Sequence, residues 1–309
     1  MPGLRGGARV HVTEFSPLIE VTPECNLRCS YCYYTDQMDE FPDFEPEYAD
    51  LDVIKAVYES GWRRLGDRPS ITGGEPFLHP DIEEIVRYLD GRGATPVVNS
   101  NLIPIREDQY DLLEDHVAQV NTSIDHVHAD EHDGQRGGFG AVIETLEDLV
   151  ERDVDVRVTC VLTQNNYEDV GEIFDTLVEL DVDGLFFQPA YIPHDDGDLA
   201  ITDLPDAETH ELLEALEPWA TEFDCERNLD IMAGSLLDGH IPEERCVMGE
   251  SRFVLYHDGR VQPCFDRPDL AAGNVTEHPP REVLDRVVER GATIRNEECF
   301  NASCVCFFE

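Results

Sequence analysis

Short apolar runs alternate along most of the chain with longer stretches in which apolar positions recur every three or four residues. The first pattern predicts strands and the second predicts helices. Strands are expected at 18–22, 69–72, 95–99, 118–124, 154–162 and 184–187. Helices are expected at 50–65, 81–89, 108–113, 139–150, 170–180 and 208–219. The clearest helix places Phe139, Val142, Ile143, Leu146, Leu149 and Val150 at helical spacing. In the helix over 81–89, Ile82, Ile85, Val86 and Leu89 fall on one face. Strand-then-helix units in series imply a parallel sheet with right-handed crossovers. Six units are too few for a closed eight-unit barrel. The expected fold class is α/β, a partial (β/α)6 TIM-like barrel.

From about Asp224 the pattern changes. Short strands at 252–257 and 260–263 flank Asp258-Gly259, a strong hairpin signal. A helix over 281–290 follows Pro279-Pro280, and the chain then runs into a cysteine-rich tail. The expected division is an N-terminal segment at 1–14, the barrel at 15–223 and a small C-terminal domain at 224–309. That last region shows little helix or sheet, so a metal staple would help it fold.

Charge changes the picture of the surface. There are 67 acidic residues against 22 basic ones, a net charge of -45, and Lys55 is the sole lysine. Nucleic acid and anionic membranes are disfavoured as partners. The balance resembles that of proteins from salt-in halophiles, where molar salt shortens the Debye length to ~3 Å. No apolar run is long enough to cross a bilayer, and the segment 1–14 lacks an apolar signal core. A cytoplasmic location is the expectation.

Ten cysteines in such a chain point to metal or catalysis rather than disulfides. Cys25, Cys29 and Cys32 sit in a loop after the first strand. A tetrahedral zinc site needs a fourth nearby ligand, and the local sequence offers none. Three thiolates fit a four-iron cluster that leaves one iron open for a substrate or cofactor.

Cys25-x3-Cys29-x2-Cys32, with Tyr31 before the last cysteine, resembles the signature of the radical S-adenosylmethionine (SAM) enzymes. Their partial (β/α)6 barrel agrees with the strand count. The resemblance implies a 4Fe-4S cluster on the three cysteines and SAM beside it. Gly73-Gly74-Glu75-Pro76, after the second strand, resembles the turn that meets the SAM amino group. Ser123-Ile124-Asp125 ends the fourth strand, and Arg136 follows. Ser123 and Arg136 are expected at the SAM carboxylate, a task suited to arginine's bidentate donors. Asn99, in Asn99-Ser100-Asn101, faces the same mouth. Tyr31, Asp125 and Pro76 complete the expected cofactor set. All sit where barrel enzymes place their chemistry, at the C-terminal ends of strands.

Cys246-x12-Gly259-x4-Cys264, followed by Gly273-Asn274-Val275, resembles the opening of the SPASM and shorter twitch extensions found after such barrels. Five C-terminal cysteines are too few for two fully protein-ligated auxiliary clusters, so one auxiliary 4Fe-4S cluster is expected. Cys246, Cys264, Cys299 and Cys304 are the expected ligands. Cys306 is an alternative to either tail residue, and zinc is an alternative metal.

The remaining candidates are weaker. His126, His128 and His132 lie among aspartates in an expected solvated loop, with a metal site as the alternative. Cys160 and Cys225 read as buried small residues. Gln188, Tyr191, Thr163 and Asn165 lie after late strands. The implied activity is reductive cleavage of SAM and hydrogen abstraction from a peptide or small molecule, with net oxidation. Reduced ferredoxin or flavodoxin is the implied electron donor. A non-enzymatic iron–sulfur or zinc protein is the alternative, and it leaves the Gly73–Pro76 turn and Arg136 without a purpose. No substrate-side acid or base is named by the sequence.

Overall fold

The computed structural model describes residues 14–32, 47–62, 64–190, 199–238, 247–265 and 267–296. In chain order the main elements are β1 Ser16–Thr22, α1 Leu51–Tyr58, β2 Ser70–Gly73, α2 Ile82–Gly91, β3 Val97–Asn99, α3 Tyr110–His116, β4 Gln119–Ser123, α4 Ala129–Gln135, α5 Phe139–Glu151, β5 Val156–Leu162, α6 Val170–Glu179 and β6 Gly184–Pro189. Then come α7 Asp206–Glu222, α8 Glu226–Asp238, β7 Arg252–Leu255, β8 Arg260–Gln262, β9 Gly273–Asn274 and α9 Pro280–Asn296. One sheet runs β6-β5-β4-β3-β2-β1-β7-β8-β9. Strands β1 to β6 are parallel, as the strand–helix alternation predicts, and together they form the partial barrel.

Side chains of laterally paired residues in a parallel sheet point to the same face. The register therefore sorts the strands into two surfaces. On the outer face lie Ile19, Val21, Ile71, Val98, Val120, Val158, Leu162 and Leu185. They share one buried core with helix residues such as Ile54, Ile85, Leu89, Leu113, Leu146 and Ile173. Burying each side chain contributes roughly 1.5–3 kcal/mol, which is the main reason the helices wrap this face. On the inner face lie Glu20, Ser70, Asn99, Gln119, Asn121, Ser123, Arg157, Thr159 and Gln188. Their polar groups pair across and along strands. Asn99 donates to Ser70 Oγ at 2.8 Å, Asn121 to Asn99 at 2.9 Å, and Gln119 to Asn121 at 2.5 Å.

Several expectations need correction. The first helix stops at Tyr58 rather than near residue 65, because Gly61 takes φ +69° and breaks it. The segment after β4, expected as loop, contains α4, which carries His132 on its buried side. The region after Asp224, expected to hold little helix, contains the 13-residue α8, packed on α7. The expected hairpin forms, with Val254 opposite Gln262. Its first strand extends the barrel sheet, β7 pairing in parallel with β1 through Pro17↔Phe253 and Ile19↔Leu255. Trp62 Nε1 also donates to Asp285 of α9 at 3.0 Å.

Candidate active site

The loop after β1 carries Cys25, Cys29 and Cys32, and its path is set by the turn after β2. Gly73 sits at φ +146°, a conformation natural only to glycine. A Cβ on Gly73 would collide with Thr22 O, and one on Gly74 with the carbonyls of Pro23 and Glu24. The two glycines thus let the β2 turn press against the start of the cysteine loop. Gly74 N–H donates to Thr22 O at 2.8 Å and Glu75 N–H to Glu24 O at 2.7 Å.

Cys29 is buried, while Cys25 and Cys32 are half-buried. Burial pushes the Cys25 thiol up to about 11, and nearby Glu75, Cys29 and Cys32 add to the rise against a lowering hydrogen bond from Leu27 N–H. Burial also raises Cys29, which Arg136 opposes. These thiols therefore call for a cationic centre before they ionise. Three thiolates from one loop leave a tetrahedral zinc one ligand short, whereas a four-iron cluster takes each on a different iron and keeps one iron open. The donor set suits a cluster.

Glu75 is fully buried. Its Oε1 accepts from Phe77 N at 3.0 Å and Ser100 Oγ at 2.8 Å, and its Oε2 from Asn101 N at 2.7 Å. Burial lifts its pKa to about 7 despite these donors. The carboxylate staples the end of β3 to the glycine turn. Asn101 completes the link by donating to Asn26 Oδ1 at 2.8 Å, inside the cysteine loop. Pro76 opens the buried turn that follows.

A second knot ties the loop to β4. Tyr31 OH donates to Asp125 Oδ2, and Arg136 donates to Tyr31 OH while its cation lies 3.6 Å from Asp125 Oδ2. Asp125 is fully buried, and its Oδ1 accepts from Val161 N of β5 at 3.0 Å. Helix α4 delivers Arg136 at its C-terminal cap, and Gln135 O accepts from Ser30 N at 2.9 Å. Asn166 donates to Asp125 O at 2.8 Å, and Thr163 donates to Gln135 Oε1 at 2.8 Å. The ends of β1, β2, β3, β4 and β5 are therefore held as one polar unit around the three cysteines.

Ser123 is half-buried at the end of β4, on the inner face. Asn99 lies on that face too, within the hydrogen-bonded ladder. Asn101, Gln135, Asn166 and His132 carry the framework. The sequence set Asn101 beside Asn99 and placed His132 in a solvated loop, whereas it is buried; Gln135 and Asn166 carried no local signal. Cys264 is half-buried beyond β8. Cys246, Cys299, Cys304, Cys306 and Tyr191 lie outside the described residues.

The family model of the radical SAM superfamily matches residues 19–177. The chain belongs to this superfamily. Its match to the subtilosin biosynthesis protein AlbA of Bacillus subtilis is 26% identical over 166 residues, 52% of this chain and 36% of that protein. The sporulation killing factor maturation protein SkfB of the same organism is 24% identical over 301 residues, 93% of this chain and 68% of that protein. A probable GTP 3',8-cyclase of Halobacterium salinarum is 25% identical over 286 residues, 82% of this chain and 80% of that protein. The chain thus spans little more than a third of AlbA and most of the other two. Among solved structures, Streptococcus suis SuiB bound to S-adenosylmethionine shares the fold, with a TM-score of 0.71 at 16% identity over 96% of this chain and 71% of that one. Radical SAM enzymes use a 4Fe-4S cluster and SAM. The three thiols and the polar strand ends of this chain fit that pair.

Proposed function

We propose that the chain reductively cleaves SAM and abstracts hydrogen from a peptide, with net oxidation aided by an auxiliary 4Fe-4S cluster. The single observation that carries this is the knot of five strand ends around Cys25, Cys29 and Cys32. The cluster and SAM, when bound, supply the 5′-deoxyadenosyl radical. The chain's part is to bind, orient and exclude water. Cys25, Cys29 and Cys32 would hold the cluster. Gly73, Gly74, Glu75, Pro76 and Asn99 would line the amino end of SAM, and Ser123, Asp125, Arg136 and Tyr31 its other polar groups. Glu75 and Asp125, both buried and fully engaged, would act mainly by fixing the backbone and Arg136.

The auxiliary cluster rests on a backbone contact. Gly249 and Gly291 touch so closely that a Cβ on either would strike the other's main chain, and a Cβ on Gly249 would lie 3.2 Å from Pro263 Cβ. This contact brings Gly291 of α9, eight residues before Cys299, beside Gly249 and Pro263, which follow Cys246 and precede Cys264. We propose Cys246, Cys264, Cys299 and Cys304 as its ligands and a twitch-type domain over 224–309 as its frame.

A peptide is favoured over a nucleoside triphosphate by charge. Of the inner-face arginines Arg157, Arg252 and Arg260, Arg157 is paired with Asp155 at 3.1 Å and Arg260 with Asp258 at 2.6 Å. A polyanion would meet little spare positive charge there, within a chain of net charge -45. The relatives named for biosynthesis of the bacteriocin subtilosin and for maturation of the sporulation killing factor support the same choice. Reduced ferredoxin or flavodoxin is the proposed donor.

The test is anaerobic reconstitution of the full chain with iron and sulfide in molar salt, then dithionite and SAM, with 5′-deoxyadenosine quantified. Wild type should form it and carry iron for two four-iron clusters. No 5′-deoxyadenosine from protein with an intact barrel cluster would overturn the proposal.

A further inference from the structure

Outside the cysteine site, one chain of titratable groups crosses from the inside of the barrel to its surface. Glu20 lies on β1, on the inner face, and its side chain is 2% exposed. Its Oε1 is 2.5 Å from Nδ1 of His257. The imidazole is 10% exposed, and its Nε2 is 2.7 Å from Oε2 of Glu47, a side chain 64% exposed. The three residues form a continuous sequence of carboxylate, imidazole and carboxylate, graded from buried to solvated.

Its place in the fold is informative. The strand that carries Glu20 runs directly into the loop of Cys25, and the hairpin that carries His257 runs directly into Cys264. Among the described strand residues of the inner face, Glu20 is the sole carboxylate. Its companions there are hydroxyls, carboxamides, apolar groups and arginines, none of which accepts a proton readily near neutrality.

We propose that Glu20 is the proton acceptor for a substrate oxidised against the inner face, and that His257 and Glu47 carry that proton to solvent. This rests on the oxidative reading above. Such an oxidation removes a hydrogen atom, one electron and one proton. The hydrogen atom leaves in the SAM-dependent step, and the electron goes to a one-electron acceptor of the iron–sulfur class. The proton, from an O–H or N–H beside the substrate radical, passes to Glu20. Once Glu20 is neutral, the imidazolium loses the carboxylate that holds its charge. It then releases its Nε2 proton to Glu47 and water, so the net charge of the three groups is the same before and after.

The electrostatics agree with this starting state. Burial opposes the imidazolium, but the hydrogen bonds to Glu20 and Glu47 and the charge of Asp258 raise its pKa above the ordinary value. The other charged group that faces the cluster is Arg260, bound to Asp258, stacked on the Tyr256 ring and within the field of Glu20.

The experiment uses the full chain, labelled with nitrogen-15 histidine in high-salt buffer, and follows the ring signals of His257 against pH. His257 should titrate above an ordinary histidine, and Glu20→Gln should lower its midpoint. Glu47→Gln should slow exchange of the Nε2 proton with water by about a hundredfold, the low end of general-base assistance. Glu47 is exposed, so that variant keeps the test open if Glu20→Gln does not fold. An ordinary midpoint, or a raised midpoint with exchange indifferent to Glu47, would overturn the relay; the second outcome describes a static clamp. Formation of 5′-deoxyadenosine by the same wild-type preparation separates the two proposals. Product without a relay overturns this one alone, and absence of product with an intact barrel cluster overturns the enzyme reading.

Discussion

The two faces of one sheet are built by different rules. The outer face is mainly apolar and buried under helices, and its apolar residues contribute through area removed from water. The inner face is lined by carboxamides, hydroxyls and a few charges, and many of its residues are only half-buried. Folding is driven from outside the barrel, and the proposed chemistry is staged inside it. Because strand side chains alternate, the same seven residues of β1 supply Ile19 to one task and Glu20 to the other.

Substitutions can break or sharpen this contrast. The largest effect is expected for Cys29→Ala, which should lose the barrel cluster and all 5′-deoxyadenosine, read by iron analysis and chromatography. Next is Ile71→Ala on the outer face. It should destabilise the fold by about 2–5 kcal/mol through the cavity it leaves, read by denaturant titration in constant salt. Asn121→Ala on the inner face removes hydrogen bonds to Asn99 and Gln119 and should cost only about 0.5–1.5 kcal/mol. Ser123→Ala should stay within about 0.5 kcal/mol of wild type while weakening SAM binding, measured by calorimetry. A large stability loss there would contradict the division of labour between the faces.

The smallest effect concerns pH. The folded protein raises the pKa of His257 above its ordinary 6.5. The stabilisation is therefore complete below that ordinary value and fades as pH rises through the raised one. Stability of Glu47→Gln should depend less on pH than that of wild type across this window. Equal slopes would exclude His257 as the source.

The parts legible in the sequence were those written locally. The parallel core follows from apolar periodicity, and the cysteine loop and glycine turn are contiguous motifs. Helix α4 escaped because Ala-Asp-Glu-His-Asp-Gly-Gln has no apolar stripe; contacts of His132 and Gln135 hold it instead. Helix α8 has only a weak stripe, with Ile231, Met232 and Ser235 buried. The knot of Tyr31, Asp125 and Arg136 spans 105 residues, and Glu20 lies 237 residues from His257. No local pattern encodes such pairings.

The parallel pairing of β7 with β1 also bears on how the chain tolerates being cut. A fragment ending before Arg252 would leave β1 as an edge strand, its flank of N–H and C=O groups beside Phe15 and Ile19 open to any passing strand. Such rims recruit other chains. The barrel half on its own should therefore be a sticky, self-associating fragment, and the C-terminal hairpin is the cover over that edge.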